Sequence, residues 1–233
     1  KGSALIDSGM GLADIKATST AMENARILLS HSHWDHVGGA PNFTDVSIFN
    51  HAYEVNRLKK GWSPEEMVGF TEKHFRTKLP EGFSPEQFSL PGISHFSTFT
   101  ENDSINLGNI TIQIIHTPGH TPGSVCFFIP EKGFLFTGDT LYAGPEYLHL
   151  KESDLNQYFR SLEKLKQIVG NNLNVIFPGH NSFTESPELL EQHILASQGK
   201  LEPISVKEGV DEFGTYVEKK WQTFSFKFPL KIH

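Results

Sequence analysis

His31-Ser32-His33-Trp34-Asp35-His36 follows the apolar run Ile27-Leu28-Leu29 and is followed by Val37-Gly38-Gly39. Imidazoles and a carboxylate packed this densely at the end of a β-rich run form a metal-ligand arrangement. In extended chain, side chains two apart project to the same side, so His31 and His33 reach one ion together. Asp35 and His36 come where the chain begins to turn, and they face a second ion. Gly38-Gly39 lets another stretch of backbone pass without a Cβ in the way.

Three further candidates stand at the ends of later apolar runs: His120 in Thr117-Pro118-Gly119-His120-Thr121, Asp139 in Thr137-Gly138-Asp139-Thr140, and His180 in Pro178-Gly179-His180. Each sits in turn chemistry, where a rigid sheet presents a functional side chain on a loop. The remaining histidines, His51, His74, His95, His116, His193 and His233, lack a partner pattern and read as surface or hydrogen-bonded core residues.

Around these positions β-rich runs alternate with helical patterns. Ala4–Ile6, Ile27–Leu29, Val46–Phe49, Ile110–Ile115, Val125–Ile129, Phe134–Phe136 and Val175–Phe177 read as strands, and Gly108-Asn109 as a hairpin turn. Leu155, Tyr158, Phe159, Leu162, Leu165 and Val169 form one apolar stripe of a helix over about 154–169, with Ser153 as its cap and Gly170 as its stop. A second helix starts at Ser186-Pro187. Phe224, Phe226 and Phe228 alternate with Ser225 and Lys227, which predicts a half-buried strand closing a sheet edge. The class is α/β.

One domain over 1–233 is expected, with a helical insert at about 51–95 carrying two capping boxes, Ser63-Pro64-Glu65-Glu66 and Ser84-Pro85-Glu86-Gln87. Phe70, Phe75, Phe83 and Phe88 give that insert aromatic surface that packs as a satellite core or lines a pocket. The net charge of −7 weighs against nucleic acid, since phosphate binding needs clustered Lys and Arg. No apolar stretch is long enough for a membrane span. The single cysteine, Cys126, lies in an apolar run as a small core residue, not as a thiol catalyst. A cytoplasmic location is the expectation, and oligomeric state is left open.

The motif His-x-His-x-Asp-His, followed by a His, an Asp and a His on later loops, resembles the signature of the metallo-β-lactamase superfamily. The likeness covers roughly residues 4–180. It implies a four-layer αβ/βα sandwich with the site along one edge of the two sheets. Carried over by position, His31, His33 and His120 would hold one metal, Asp35, His36 and His180 the other, and Asp139 would bridge them. The family also carries a strand pair ahead of the strand ending at Asp7-Ser8-Gly9, so upstream residues are expected beyond Lys1.

Imidazole-rich ligation with two carboxylates suits two zinc ions, and iron or manganese also occupies such mixed sites. Two cations sharing a water lower its pKa from about 16 towards about 7, so the expected reaction is attack of a bridging hydroxide on a carbonyl. Asp35 and Asp139 are the candidate catalytic carboxylates. Tyr142, three residues after Asp139, matches a tyrosine of the lactone-hydrolysing branch that points at the substrate carbonyl, and is a candidate oxyanion donor. Tyr142, Tyr147 and His149 are candidate substrate-binding residues.

The resemblance also narrows the chemistry. Flavodiiron oxygen reductases carry Glu at the position of His33, and the best-known zinc β-lactamases depart from Asp139. Persulfide dioxygenases resemble the motif but hold one iron with fewer ligands. His-Thr-Pro-Gly-His-Thr-Pro-Gly and Thr-Gly-Asp-Thr-Leu-Tyr are similar to phrases of glyoxalase II-like thioesterases and lactonases. The insert resembles that of acyl-CoA thioesterases. A small-molecule acyl thioester or lactone is therefore the expected substrate. The competing readings are a metal-retaining binding or regulatory protein, and a phosphodiester or β-lactam hydrolase.

Overall fold

The computed structural model describes residues 2–18, 25–67, 83–84 and 87–230. The chain divides into two compact units, one of Ser3–Asn50 with Glu54–Thr98, the other of Lys1–Gly2, His51–Tyr53 and Phe99–His233.

In the first unit β1 (Ala4–Ile6), β2 (Arg26–Leu28), β3 (Ile48–His51) and β4 (Ser97–Phe99) form a sheet in that order. β1, β2 and β3 pair in parallel. Parallel strands are covered on both faces, which is why β2 reads as an unbroken apolar run and not as an alternation. Ile27, Leu28 and Leu29 are all fully buried. Ile27 and Leu29 pack with Val37, Phe43, Ile48, Leu58 and Ile93. The single-turn helix α1 (Trp34–Val37) leaves the end of β2, and α2 (Val55–Lys60) follows β3. A Cβ on Gly38 would stand 2.3 Å from the Met10 carbonyl oxygen, and one on Gly39 equally close to that of Ser8. The close backbone passage expected at this pair is therefore real, and it ties the strand-end segment after β1 to the end of α1.

In the insert the first capping box is half made. Glu66 Oε2 accepts the Ser63 N–H at 3.2 Å, but Ser63 Oγ donates to Glu65 instead of capping, and the turn Pro64–Met67 is a 3₁₀ helix. Phe83 and Phe88 join a small cluster with Met67 and Leu90, the satellite-core reading. Phe70, Phe75, His74, His233 and part of the second capping box lie outside the described residues.

The second unit holds the sheet β10-β8-β7-β6-β5, made of β5 (Ser104–Asn106), β6 (Thr111–His116), β7 (Val125–Ile129), β8 (Phe134–Gly138) and β10 (Val175–Pro178). The hairpin at Gly108-Asn109 is present, joining β5 antiparallel to β6. β6, β7 and β8 run antiparallel in turn and β10 lies parallel to β8, so β6, β8 and β10 all point the same way. A core of Cys126, Phe128, Leu135, Ile176 and the apolar stripe of α3 (Leu155–Val169) lies on this sheet, joined by α4 (Glu188–Ser197). Burial pushes the Cys126 thiol up to about 11, which leaves it an inert core residue.

Two expectations are corrected here. The cap of α3 is Asp154, whose carboxylate accepts the Gln157 N–H at 2.9 Å. Ser153 is one residue too early and donates to the His120 carbonyl instead. The C-terminal strand β13 (Ser225–Pro229) is not an edge. It lies between β12 (Gly214–Lys220) and β9 (Pro145–Tyr147) in the sheet β11-β12-β13-β9, with β11 (Ser205–Asp211) on the outside. Nor is it half exposed. Lys227 is buried because its ammonium donates to Asp211 at 2.7 Å and lies 4.4 Å from the Tyr147 ring centroid and 4.3 Å from that of Tyr216. A buried charge is tolerated when it is paired, and alternation in the sequence does not reveal the partner. Among the described residues no helix is long and apolar enough to cross a membrane.

Candidate metal centre

The first unit brings His31, His33, Asp35 and His36 together. His33, with φ −67° and ψ 147°, is extended and immediately precedes α1. His33 therefore projects from extended chain, and Asp35 and His36 from a helical turn. The His31 ring centroid lies 4.6 Å from that of His33 and 4.2 Å from that of His36. His36 Nε2 is 3.9 Å from Asp35 Oδ2.

Asp7, at the end of β1, organises this group. Its carboxylate accepts the Ser30 N–H and the Ser30 hydroxyl, each at 2.7 Å, and His36 Nδ1 at 2.8 Å. Since the Ser30 hydroxyl proton is directed to Asp7, His31 Nδ1–H donates to Ser30 Oγ at 3.0 Å. Asp7 holds φ at +56°, a region where Asp and Asn are the tolerated non-glycine residues. A second set of contacts grips Ser32, between the two histidines. Trp62 Nε1 donates to the Ser32 carbonyl at 3.1 Å, and the Ser32 hydroxyl donates to the buried Glu54 carboxylate. Trp62 sits edge-on to His33 at 5.9 Å and carries the Arg57 guanidinium 3.3 Å from its ring centroid. Arg57 in turn donates to Glu66 at 2.9 Å and, with Lys60, holds the Glu66 carboxyl down at about 2.

The second unit brings together His120, Asp139 and His180. They follow β6, β8 and β10, and because those strands are co-directional all three emerge at one end of one sheet. Asp139 Oδ2 lies 3.5 Å from His120 Nε2, and Oδ1 lies 3.2 Å from His180 Nε2. One carboxylate thus divides its two oxygens between two imidazoles. His120 Nδ1 donates to the Tyr147 carbonyl at 3.1 Å and Ser153 donates to the His120 carbonyl at 2.9 Å. Gly119, at φ +147°, admits this loop against α3, since a Cβ there would lie 2.3 Å from Tyr158 Cα. His120 and Asp139 are buried, whereas the His180 side chain is 35% exposed.

These donors fit a metal. His31, His36 and His120 each give up Nδ1–H to an oxygen of the protein, which leaves the lone pair on Nε2, the tautomer and orientation that metal-ligating histidines take from their outer partners. Nitrogen from histidine and oxygen from aspartate suit zinc or iron.

The other expected site residues are engaged elsewhere. Tyr142 is buried, its hydroxyl donates to the Pro145 carbonyl, and its ring lies 5.6 Å from His180. Burial, before the charges of Glu146 and Asp139, raises its pKa well above the usual tyrosine value. Tyr147 holds His120 through its carbonyl, while its ring stacks 5.9 Å from His149. His149 Nε2 lies 2.9 Å from Asp211 Oδ1. His51 and His116 stack on each other at 4.2 Å, and His193 is a core residue stacked on Phe224.

Asp7, Glu54 and Trp62 escaped the reading of the sequence. For Asp7 a signal existed: an aspartate at a strand end followed by Ser8-Gly9. For Glu54 and Trp62 none did, because their partner is Ser32, through its hydroxyl and its carbonyl respectively, more than twenty residues away in the chain.

A sequence model of the Metallo-beta-lactamase superfamily matches residues 1–180. Acyl-coenzyme A thioesterase MBLAC2 of Homo sapiens is 31% identical over 183 residues, covering 77% of this chain and 64% of the relative. Hydroxyacylglutathione hydrolase GloC of Haemophilus influenzae is 30% identical over 164 residues, covering 68% of this chain and 69% of the relative. The chain thus spans about two thirds of the length of these curated relatives. The solved structure of TTHA1623 in a di-iron-bound form superposes with a TM-score of 0.57 at 26% identity, over 83% of this chain and 86% of that one. With the two groups of ligand-type side chains at the ends of their strands and a match over most of its length, this chain belongs to the metallo-beta-lactamase superfamily and has its α/β fold.

Proposed function

We propose that this metallo-hydrolase cleaves an acyl thioester, using a two-metal site. His31, His33 and His120 hold one ion, Asp35, His36 and His180 the other, and Asp139 reaches both. The observation that carries this reading is the division of the Asp139 carboxylate, with Oδ2 towards His120 and Oδ1 towards His180. That is the posture of a carboxylate shared between two cations. The Nε2 lone pairs set by Asp7, Ser30 and Tyr147 support it.

Bound at such donors, a pair of zinc or iron ions supplies a hydroxide nucleophile near neutral pH and polarises the attacked carbonyl. Asp139 orients the attacking water and accepts its proton. The C–S bond then breaks, the proton passes to the departing thiolate, and a carboxylic acid and a thiol result. Asp35 and His36 stay in place because α1 is anchored through Asp7.

A thioester is favoured over a lactone because both curated relatives named above are named for thioester hydrolysis. The test is metal analysis of the purified protein, followed by turnover of acyl-CoA, acyl-glutathione and acyl-lactone substrates with and without chelator. Chelator-sensitive release of free thiol is expected. Equal rates with metal-free and metal-loaded protein on every thioester would overturn the proposal.

A further inference from the structure

Glu146 is a carboxylate placed where a core residue belongs. It is fully buried on β9 and its Oε1 accepts the Tyr142 N–H at 2.9 Å. Its Oε2 has no hydrogen-bond partner among the described residues. Beside it, His193 is also fully buried, with Nε2 3.6 Å from Glu146 Oε1 and Nδ1–H donating to the Leu189 carbonyl at 2.9 Å. Around the pair lie Tyr158, Phe224 and Phe226, all in the main apolar core. An incompletely satisfied carboxyl in such a place disfavours folding relative to an apolar side chain of the same size.

What the carboxyl does there is local and specific. β8 ends at Gly138 and β9 begins at Pro145, so Asp139 and Tyr142 both lie in the connection between them. Within that connection Thr137 Oγ1 donates to the Leu141 carbonyl at 2.7 Å, and Glu146 takes the next N–H, that of Tyr142. The adjoining residue of β9, Tyr147, offers its carbonyl to His120 Nδ1. β9 is itself held by β13, whose Phe226 pairs with Glu146. One short strand thus steadies the Asp139 loop through the side chain of Glu146 and the His120 ring through the backbone of Tyr147.

We propose that Glu146 is a positioning residue for the metal site, fixing the Asp139 loop through the Tyr142 N–H from within the core. The proposal rests on the assignment of His120 and Asp139 as metal ligands. Burial pushes the Glu146 carboxyl well above the usual range and the His193 imidazole down to about 3. The function asked of Glu146 is that of an acceptor for the Tyr142 N–H. A glutamine provides the same acceptor, whereas a methionine fills the same space without one.

The test compares wild type, Glu146→Gln and Glu146→Met. Zinc affinity is measured by competition with a chromophoric chelator, the cobalt(II)-substituted protein by its visible absorption spectrum, and folding by circular dichroism and melting of the metal-free protein. The expected result is zinc affinity within about threefold of wild type for Glu146→Gln. For Glu146→Met the loss is about 10- to 100-fold with an altered cobalt spectrum, the range typical of partners that orient metal ligands. The metal-free methionine variant is expected to melt no lower than wild type. Wild-type affinity and spectrum in folded Glu146→Met would overturn the proposal. If Glu146→Met does not fold, Glu146→Gln decides: wild-type affinity supports the acceptor role, and a tenfold loss overturns it. A wild-type protein that binds no zinc, iron or cobalt would instead defeat the metal assignment itself.

Discussion

Asp7 accepts His36 Nδ1–H at 2.8 Å through Oδ2 while its Oδ1 takes the Ser30 N–H at 2.7 Å, so one carboxylate sets the orientation of a candidate ligand on α1 and the course of the chain leading to His31. Replacement by asparagine keeps the positive φ that this position requires and removes the charge. Zinc affinity is expected to fall about 10- to 100-fold in Asp7→Asn, with the melting temperature of the metal-free protein nearly unchanged. Chelator competition and calorimetry measure the two effects separately.

Trp62 reaches the same segment from the insert. Trp62→Phe keeps an aromatic face for Arg57 and loses the indole N–H that holds the Ser32 carbonyl. A destabilisation of about 1 kcal/mol is expected from the missing hydrogen bond. Zinc affinity should drop several-fold, because Ser32 lies between the two proposed ligands His31 and His33. Unchanged affinity in the folded variant would leave Trp62 a packing residue only.

The Arg57–Glu66 contact behind Trp62 carries a pH dependence of known sign. The Glu66 carboxyl is held at about 2 against an ordinary value of 4.5, first by Arg57 and then by Lys60. A carboxyl lowered on folding contributes stability in full above its unfolded value and loses it as pH falls towards its folded one. The melting-temperature difference between wild type and Glu66→Gln is therefore expected to be constant above pH 5 and to shrink between about pH 4.5 and 2. Because Glu66 is partly exposed, the difference is small and is reduced by salt.

The Tyr142 hydroxyl donates to the Pro145 carbonyl, within its own loop. Tyr142→Phe is expected to cost about 1 kcal/mol of stability and to change kcat by less than about threefold. A fall in kcat of a hundredfold with KM unchanged would show instead that the hydroxyl leaves Pro145 to stabilise an oxyanion.

Asp154 caps α3 at the point where Ser153 reaches His120. Asp154→Ala is expected to lose about 1 kcal/mol and roughly 2–4 °C of melting temperature. Zinc affinity should be retained, since the Ser153 contact with His120 does not use the Asp154 side chain.

Local chemistry made much of this protein legible in one dimension. An apolar run of β-formers has to be buried, turn residues have to follow it, and ligands spaced for extended chain and then for a helical turn require no distant partner to be recognised. His31, His33, Asp35, His36, His120, Asp139 and His180 could therefore be named from sequence as candidate ligands, and β7, α3 and the inert role of Cys126 were legible in the same way. The burial of Lys227, the interior place of β13, the grip of Trp62 and Glu54 on Ser32, and the carboxyl of Glu146 against the Tyr142 N–H were decided by tertiary structure alone. The Lys227 and Ser32 contacts depend on polar groups finding partners across the fold, and the place of β13 and the burial of Glu146 depend on which strands and apolar side chains assemble around them, none of which a side chain's own sequence neighbours record.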